Sequence, residues 1–166
     1  MALKLKRLTP EDGQDVYAML QSIPTTENGF QNSANGLTYE EYLQWLKRQD
    51  ECSHGINLPE GWVPQTIYWL YDGDTPVGVC KLRHYLSDAL RKNGGHIGYG
   101  IAPGYRGKGY GKEQLRLVLG EAKKLGIGEA LITADNGNLA SIHVALHNGG
   151  VIQKVTEDKH YIVVPV

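Results

Sequence analysis

Three glycines alternate with basic and aromatic residues in Arg106-Gly107-Lys108-Gly109-Tyr110-Gly111-Lys112, and this junction constrains the fold more than any other stretch of the chain. Before it, His96 to Ala102 reads as a short strand. After it, Leu115, Val118, Leu119, Ala122 and Leu125 recur at helical spacing with charges between them. The segment is therefore strand, glycine-rich loop, helix. The first turn of such a helix carries unpaired backbone N–H groups and the positive end of the macrodipole, a ready site for an anion. Glycines let the backbone approach the anion closely and take positive φ where amides must converge. Arg106, Lys108 and Lys112 add charge, and an arginine binds phosphate bidentately. A diphosphate is the natural guest.

Spacing excludes the two most familiar phosphate loops. A Walker A loop requires G-x-x-x-x-G-K-[ST], whereas Gly107-x-x-x-Gly111-Lys112 is one residue short and is followed by Glu113, which has no hydroxyl for magnesium. The dinucleotide fingerprint G-x-G-x-x-G fails as well. Counted from Gly107 and Gly109, its third glycine falls on Lys112.

The 166 residues are about one domain in length, so residues 1–166 are expected to share one core. The 17 Lys and Arg nearly balance 18 Asp and Glu, so no global field draws the chain to nucleic acid or to an anionic membrane. Cys52 and Cys80 have no metal-binding spacing, and nothing near the N-terminus resembles a signal peptide; a reduced, cytoplasmic protein is the expectation.

Along the chain, residues 2–8 alternate as a strand. Thr9-Pro10-Glu11-Asp12 has the signals of a helix start, with the helix running to about Leu20. Residues 21–37 lose periodicity and read as a loop. Thr38 to Glu41 form a capping box that opens a second helix ending near Asp50. Residues 52–64 are irregular again. Thr66 to Tyr71 and Val77 to Leu82 flank Asp72-Gly73-Asp74 as a hairpin, and Ser87 caps a short helix over residues 88–92. Gly98 and Gly100 inside the next strand read as a close approach by a ligand rather than a bulge. Ala130 to Thr133 is a buried strand, Asn138 opens a helix that ends at Asn148-Gly149-Gly150, and two strands over residues 151–156 and 160–164 close the chain. The order β-α-α-β-β-β-α-β-α-β-β implies an α/β mixed sheet with helices on both faces.

Arg106-x-x-Gly109-x-Gly111 between a strand and a helix resembles the acetyl-CoA pyrophosphate loop of the GNAT N-acetyltransferases, and the element order is the one this acyl-CoA N-acyltransferase fold requires. The resemblance implies acetyl-CoA as co-substrate and no metal. Pantetheine would pair with the backbone around Ile101 and Ala102, and the pyrophosphate would meet the amides from Gly107 through Lys108, Gly109, Tyr110 and Gly111 to Lys112. Asn138 and Ser141 match the family's N-x-x-[SA] pattern near the pantetheine or the sulfur, with helix capping as the alternative role. The tyrosine that many members place four residues further on, to protonate the leaving thiolate, is Ala145 here. Glu27 to Asn32 and Leu82 to Tyr99 also resemble segments of an uncharacterised bacterial branch of the family.

The implied function is transfer of acetyl to an amine of a small molecule or peptide by direct nucleophilic attack; the alternative is a non-catalytic module that binds or senses acetyl-CoA. A protonated amine needs a base before it can attack a thioester. The candidates are His96 and His84, at neighbouring strand ends, and Glu27, which could also hold an ammonium group; Arg83 beside His84 would suit a carboxylate on the substrate. Structural hydrogen bonding is the ordinary alternative for both histidines, and solvation for the glutamate. His143 and His147 have zinc-compatible i, i+4 spacing but lack a glutamate between them and a third ligand. No nucleic-acid or membrane partner is expected, and a homodimer is compatible with the sequence.

Overall fold

The computed structural model describes residues 2–166. β1 (Leu3–Arg7) leads into α1 (Gln14–Gln21), a small hairpin of β2 (Thr26–Glu27) and β3 (Phe30–Gln31), then α2 (Tyr39–Ser53). The central hairpin is β4 (Gln65–Asp72) and β5 (Thr75–Arg83), followed by α3 (Asp88–Lys92), β6 (Ile97–Ile101) and α4 (Tyr110–Lys124). β7 (Glu129–Asp135), α5 (Leu139–His147), β8 (Val151–Val155) and β9 (Lys159–Pro165) complete the chain. The expected elements are present, the short helix over residues 88–92 among them, and one hairpin is added. The stretch expected to be a loop over residues 21–37 contains the β2–β3 hairpin.

The strands form a four-stranded sheet in the order β1-β4-β5-β6 and a three-stranded sheet in the order β7-β9-β8. Both are antiparallel throughout. Among the described residues no ladder joins β6 to β7; the sheets meet where the His96 N–H donates to the Leu131 carbonyl at 2.8 Å. Gly95 makes that approach possible. Its φ is +60°, and a Cβ there would lie 2.3 Å from the Leu131 oxygen.

Alternation along the strands sorts the core into two layers. Ile67, Trp69, Tyr71 and Val79 pack under α1 and α2, against Val16, Leu20, Tyr42 and Trp45. Cys80, Leu82 and Ile97 face the other way, toward Leu115, Val118 and Ala122 of α4 and the buried side of the second sheet. α2 starts where its capping box predicts, with Thr38 and Glu41 satisfying one another's backbone N–H groups.

α1 begins later than the Thr9-Pro10 signal suggests. The Asp12 carboxylate accepts from the Trp69 indole N–H at 2.7 Å and from the Thr9 amide at 2.9 Å, so residues 9–12 fold into a turn and Gly13 becomes the N-cap. A tertiary contact outweighs the local helix signal there. Gly98 and Gly100 carry no bulge, as expected, but the chain itself takes up part of the space they leave. The β5–β6 register is continuous, and the space above both glycines is partly filled by the Phe30 ring, 3.5 Å from where a Cβ of Gly100 would stand.

Candidate active site

Beyond the His96–Leu131 junction the edges of β6 and β7 diverge and enclose a cavity of about 620 Å³. One wall is β6, the other is β7 with the start of α5, and the 106–112 loop closes one end. The Ala102 N–H donates to the Val77 carbonyl across the β5–β6 ladder. Since main-chain groups alternate sides along a strand, those of Tyr99 and Ile101 point away from β5 and into the cleft. Ala102 is less available than expected: its carbonyl accepts from Tyr105, its side chain is buried, and it does not line the cavity.

Gly107 and Gly109 both adopt the left-handed conformation, with φ of +77° and +81°, and Gly109 is the N-cap of α4. Neither has an atom within 4 Å of the position its Cβ would occupy. These two glycines therefore serve the loop's path and its open face. Gly111 serves packing instead, since its Cβ would touch Val144 of α5 at 3.4 Å. Tyr110 lines the cavity at the start of α4, and its hydroxyl donates to the Asp72 carboxylate at 2.5 Å. Lys108 lies over the Tyr105 ring, outside the cavity wall, while Lys112 lines it and has its carbonyl fixed by Asn148. Open amides at a helix start, two strand residues with inward main chain and local positive charge form a cradle that fits a diphosphate joined to an extended amide chain.

Arg106 connects three parts of the site. Its Nε donates to the Ile101 carbonyl at 2.9 Å, and its guanidinium forms a two-pronged ion pair with Glu27, with Nη1 at 3.1 Å. The β2–β3 hairpin thereby becomes a roof over the cleft. Glu27 reaches the loop, Phe30 covers β6, and the Asn28 carbonyl lies 3.5 Å from the Asn138 amide on the opposite wall. Residues 52–64, the second irregular stretch, contribute nothing to the cavity wall.

The three base candidates are not brought together. Glu27 lines the cavity; His84 and His96 do not. The His96 Nδ1 accepts from the Leu131 N–H at 2.9 Å, and burial, then the Arg91 and Arg83 charges, hold its pKa below the ordinary value. His84 Nε2 lies 2.8 Å from the Thr66 hydroxyl, its pKa lowered by burial and by Arg7 and His54. Both make the ordinary structural contacts of strand-end histidines.

Asn138 accepts from the Ser141 N–H at 3.3 Å, capping α5, and both residues line the cavity. Ala145 is fully buried in the core, away from the wall. Sequence reasoning missed the group that stands near Ser141: the Tyr99 hydroxyl donates to the Ser141 carbonyl and accepts from the Ser141 hydroxyl, both at 3.2 Å. Burial pushes the Tyr99 phenol up to about 12, so it keeps its proton at neutral pH. The signal was the alternation of Gly98-Tyr99-Gly100, which puts Tyr99 on the face opposite the glycines. His143 lies on the cavity wall, but no cluster of three or more His, Cys, Asp or Glu with metal-binding geometry occurs among the described residues. No helix among them is long and apolar enough to cross a membrane.

A family profile described as acetyltransferase (GNAT) domain matches residues 2–151. This chain belongs to the GNAT acetyltransferase family. Its fold is similar to that of RimL, a ribosomal L7/L12 alpha-N-protein acetyltransferase solved with coenzyme A, at a TM-score of 0.75 and 14% identity over 100% of this chain and 95% of that one. It is similar also to Campylobacter jejuni N-acetyltransferase PseH in complex with acetyl coenzyme A (TM-score 0.66, 14% identity, 98% of each chain). A third likeness is to yncA, a putative acetyltransferase from Salmonella typhimurium with acetyl-CoA (TM-score 0.65, 14% identity, 99% of this chain and 94% of that one). No curated protein sequence matches it significantly.

Proposed function

We propose that this chain transfers the acetyl group of acetyl-CoA to the amine of a small molecule or peptide by direct attack, without an acetylated enzyme intermediate. The observation that carries the reading is the inward-facing main chain of Tyr99 and Ile101, which runs toward the glycine loop at the start of α4. The acetyl-CoA complexes of PseH and yncA and the family membership support the same co-substrate.

Gly107, Gly109 and Lys112 would hold the diphosphate, with Arg106 turning toward it. That turn would release the Ile101 carbonyl for pantetheine and free Glu27 from its ion pair. When bound, acetyl-CoA supplies a thioester carbonyl as electrophile. The Ile101 N–H would polarise that carbonyl, and preorganised backbone donors are effective for developing negative charge. Glu27 takes the base's role, since it is the one base candidate of the three on the cavity wall. Tyr99, still protonated, is placed beside Ser141 to donate a hydrogen bond to the leaving sulfur, the task that Ala145 cannot perform.

The relative RimL is described as acting on the ribosomal protein L7/L12 alpha-amine, which makes a peptide amine one of the two acceptor classes to test. Calorimetry should give a saturable CoA isotherm, and free thiol should appear with an appropriate amine. Failure to bind CoA rejects the reading. Binding without transfer to any amine favours a sensing module.

A further inference from the structure

The charge inventory of the cavity is unbalanced at one end. Lys81, Arg83, Arg106, Lys112 and Lys159 line it, against the carboxylates Glu27 and Asp135. Arg106 pairs with Glu27, and Lys159 pairs with Asp135 at 2.7 Å. Lys112 belongs to the diphosphate loop. Lys81 and Arg83 are left side by side with no carboxylate partner among the described residues.

Their geometry is that of a receptor. They stand two residues apart on β5 and so project from the same face, next to the glycine-bare surface of β6, where Gly98 pairs with Lys81. A Cβ on Gly98 would come within 3.5 Å of Arg83 Nη1, so the absent side chain leaves room for the guanidinium. Each cation is held by one main-chain carbonyl: Lys81 Nζ donates to Gln31 at 2.5 Å and Arg83 Nη1 to Gly94 at 3.0 Å. An ammonium has three donors and a guanidinium five, so most of their hydrogen-bonding capacity is free. Both are half-buried, and two adjacent cations partly withdrawn from water without a counter-ion are costly; desolvation, then the Arg83 charge, lowers the Lys81 pKa to about 8. A bound anion removes that cost.

Resting on the acetyl-transfer reading, we infer that the acceptor carries an oxyanion, a carboxylate or a phosphate ester, close to its amine, and that Lys81 and Arg83 bind it. The oxyanion sits at the β5 end of the cleft, under Phe30 and Gln31, and places the amine between this pair and the strand edge at Tyr99 and Ile101. Selectivity follows from desolvation: a neutral amine of the same shape would leave the two half-buried cations uncompensated.

The test uses the full chain at saturating acetyl-CoA with acceptors matched as pairs with and without the oxyanion: glycine and methylamine, alanine and ethylamine, phenylalanine and phenethylamine, O-phosphoethanolamine and ethanolamine, and a dipeptide with free or amidated C-terminus. Thiol release gives kcat/KM for each, and the pairs separate a carboxylate from a phosphate. In at least one pair the oxyanion member should exceed its partner by about 10- to 100-fold, the range for one charge-assisted hydrogen bond. Arg83→Leu and Lys81→Met should erase that advantage mainly through KM, with acetyl-CoA affinity and thermal midpoint near wild type, and Lys81→Arg should retain most of it. Equal rates within every pair, equal losses on charged and neutral acceptors, or no transfer to any acceptor by a chain that binds acetyl-CoA would overturn the inference. Loss of acetyl-CoA binding in the wild-type chain would instead overturn the underlying acetyltransferase reading.

Discussion

His96 and Leu131 exchange two hydrogen bonds where the two sheets meet, the His96 N–H to the Leu131 carbonyl at 2.8 Å and the Leu131 N–H to the His96 Nδ1 at 2.9 Å. An imidazole ring stands in for a backbone acceptor, because the His96 carbonyl is already taken by the Arg83 N–H. The cleft opens from this point, so a side chain expected to do chemistry stands where β6 and β7 begin to diverge.

That arrangement makes stability depend on pH. The ring must be unprotonated at Nδ1 to accept, and burial with two nearby arginines lowers its pKa in the folded chain. The unfolded histidine takes up a proton near pH 6.5. Between that value and the lower folded pKa the unfolded state binds more protons, so stability is full above about pH 6.5 and falls as pH drops through the window. His84 contributes with the same sign. Urea unfolding at pH 8 and pH 5.5 should show the loss, and His96→Ala should reduce it to the share His84 carries while costing about 1–3 kcal/mol at pH 8, the cost of orphaning a part-buried N–H.

The loop glycines separate by role. Gly109→Ala places a Cβ at φ +81° and should cost about 1–2 kcal/mol of backbone strain, with a weaker CoA isotherm because the first amides of α4 are reoriented. Gly111→Ala meets only Val144 at 3.4 Å. Its CoA affinity should remain close to wild type, and calorimetry on the two variants distinguishes them.

Much of this frame was legible in the sequence because it depends on periodic patterns: the Thr38–Glu41 capping box, the β4–β5 hairpin and the apolar stripe of α4 all form where spacing places them. The roof of the site was not. β2 and β3 have two residues each, too few to show alternation, and they are recognisable only from Phe30 packing over Gly98 and Gly100. Both glycines line the cavity, and Phe30, another part of the chain, takes up some of the space above them. The divergence of β6 from β7 is a missing ladder, which no local pattern encodes. The loop was legible as an anion site, whereas Tyr99 emerged only once β6 was set beside α5.

Gln114 offers a test of the core independent of the site. It is fully buried on α4, and neither its amide N–H₂ nor its carbonyl has a hydrogen-bond partner among the described residues. No protein group compensates its desolvation. Gln114→Met preserves volume and removes both polar groups, and it should raise unfolding stability by about 1–3 kcal/mol with CoA binding unchanged. Thermal and urea unfolding read the first part, calorimetry the second.

Glu27 and Tyr99 divide the proposed chemistry between the two ends of proton transfer, and their variants should fail differently. The Glu27–Arg106 pair is partly exposed, with side-chain accessibilities of 32% and 41%, so Glu27→Gln should cost less than about 1 kcal/mol of stability. It should lower kcat by about 10²- to 10⁴-fold, the usual contribution of a positioned base, while acetyl-CoA binds as well or better, because Arg106 no longer has to leave a carboxylate. Tyr99→Phe keeps the ring between β6 and α5 and deletes only the hydroxyl beside Ser141. Losing one hydrogen bond to a developing thiolate should reduce kcat by about 10- to 100-fold, and the reduction should shrink with an acyl donor whose leaving thiol is more acidic, since a better leaving group needs less help. Comparing acetyl-CoA with an activated thioester in both variants separates the roles: Glu27→Gln should remain slow with either donor, whereas Tyr99→Phe should recover with the activated one.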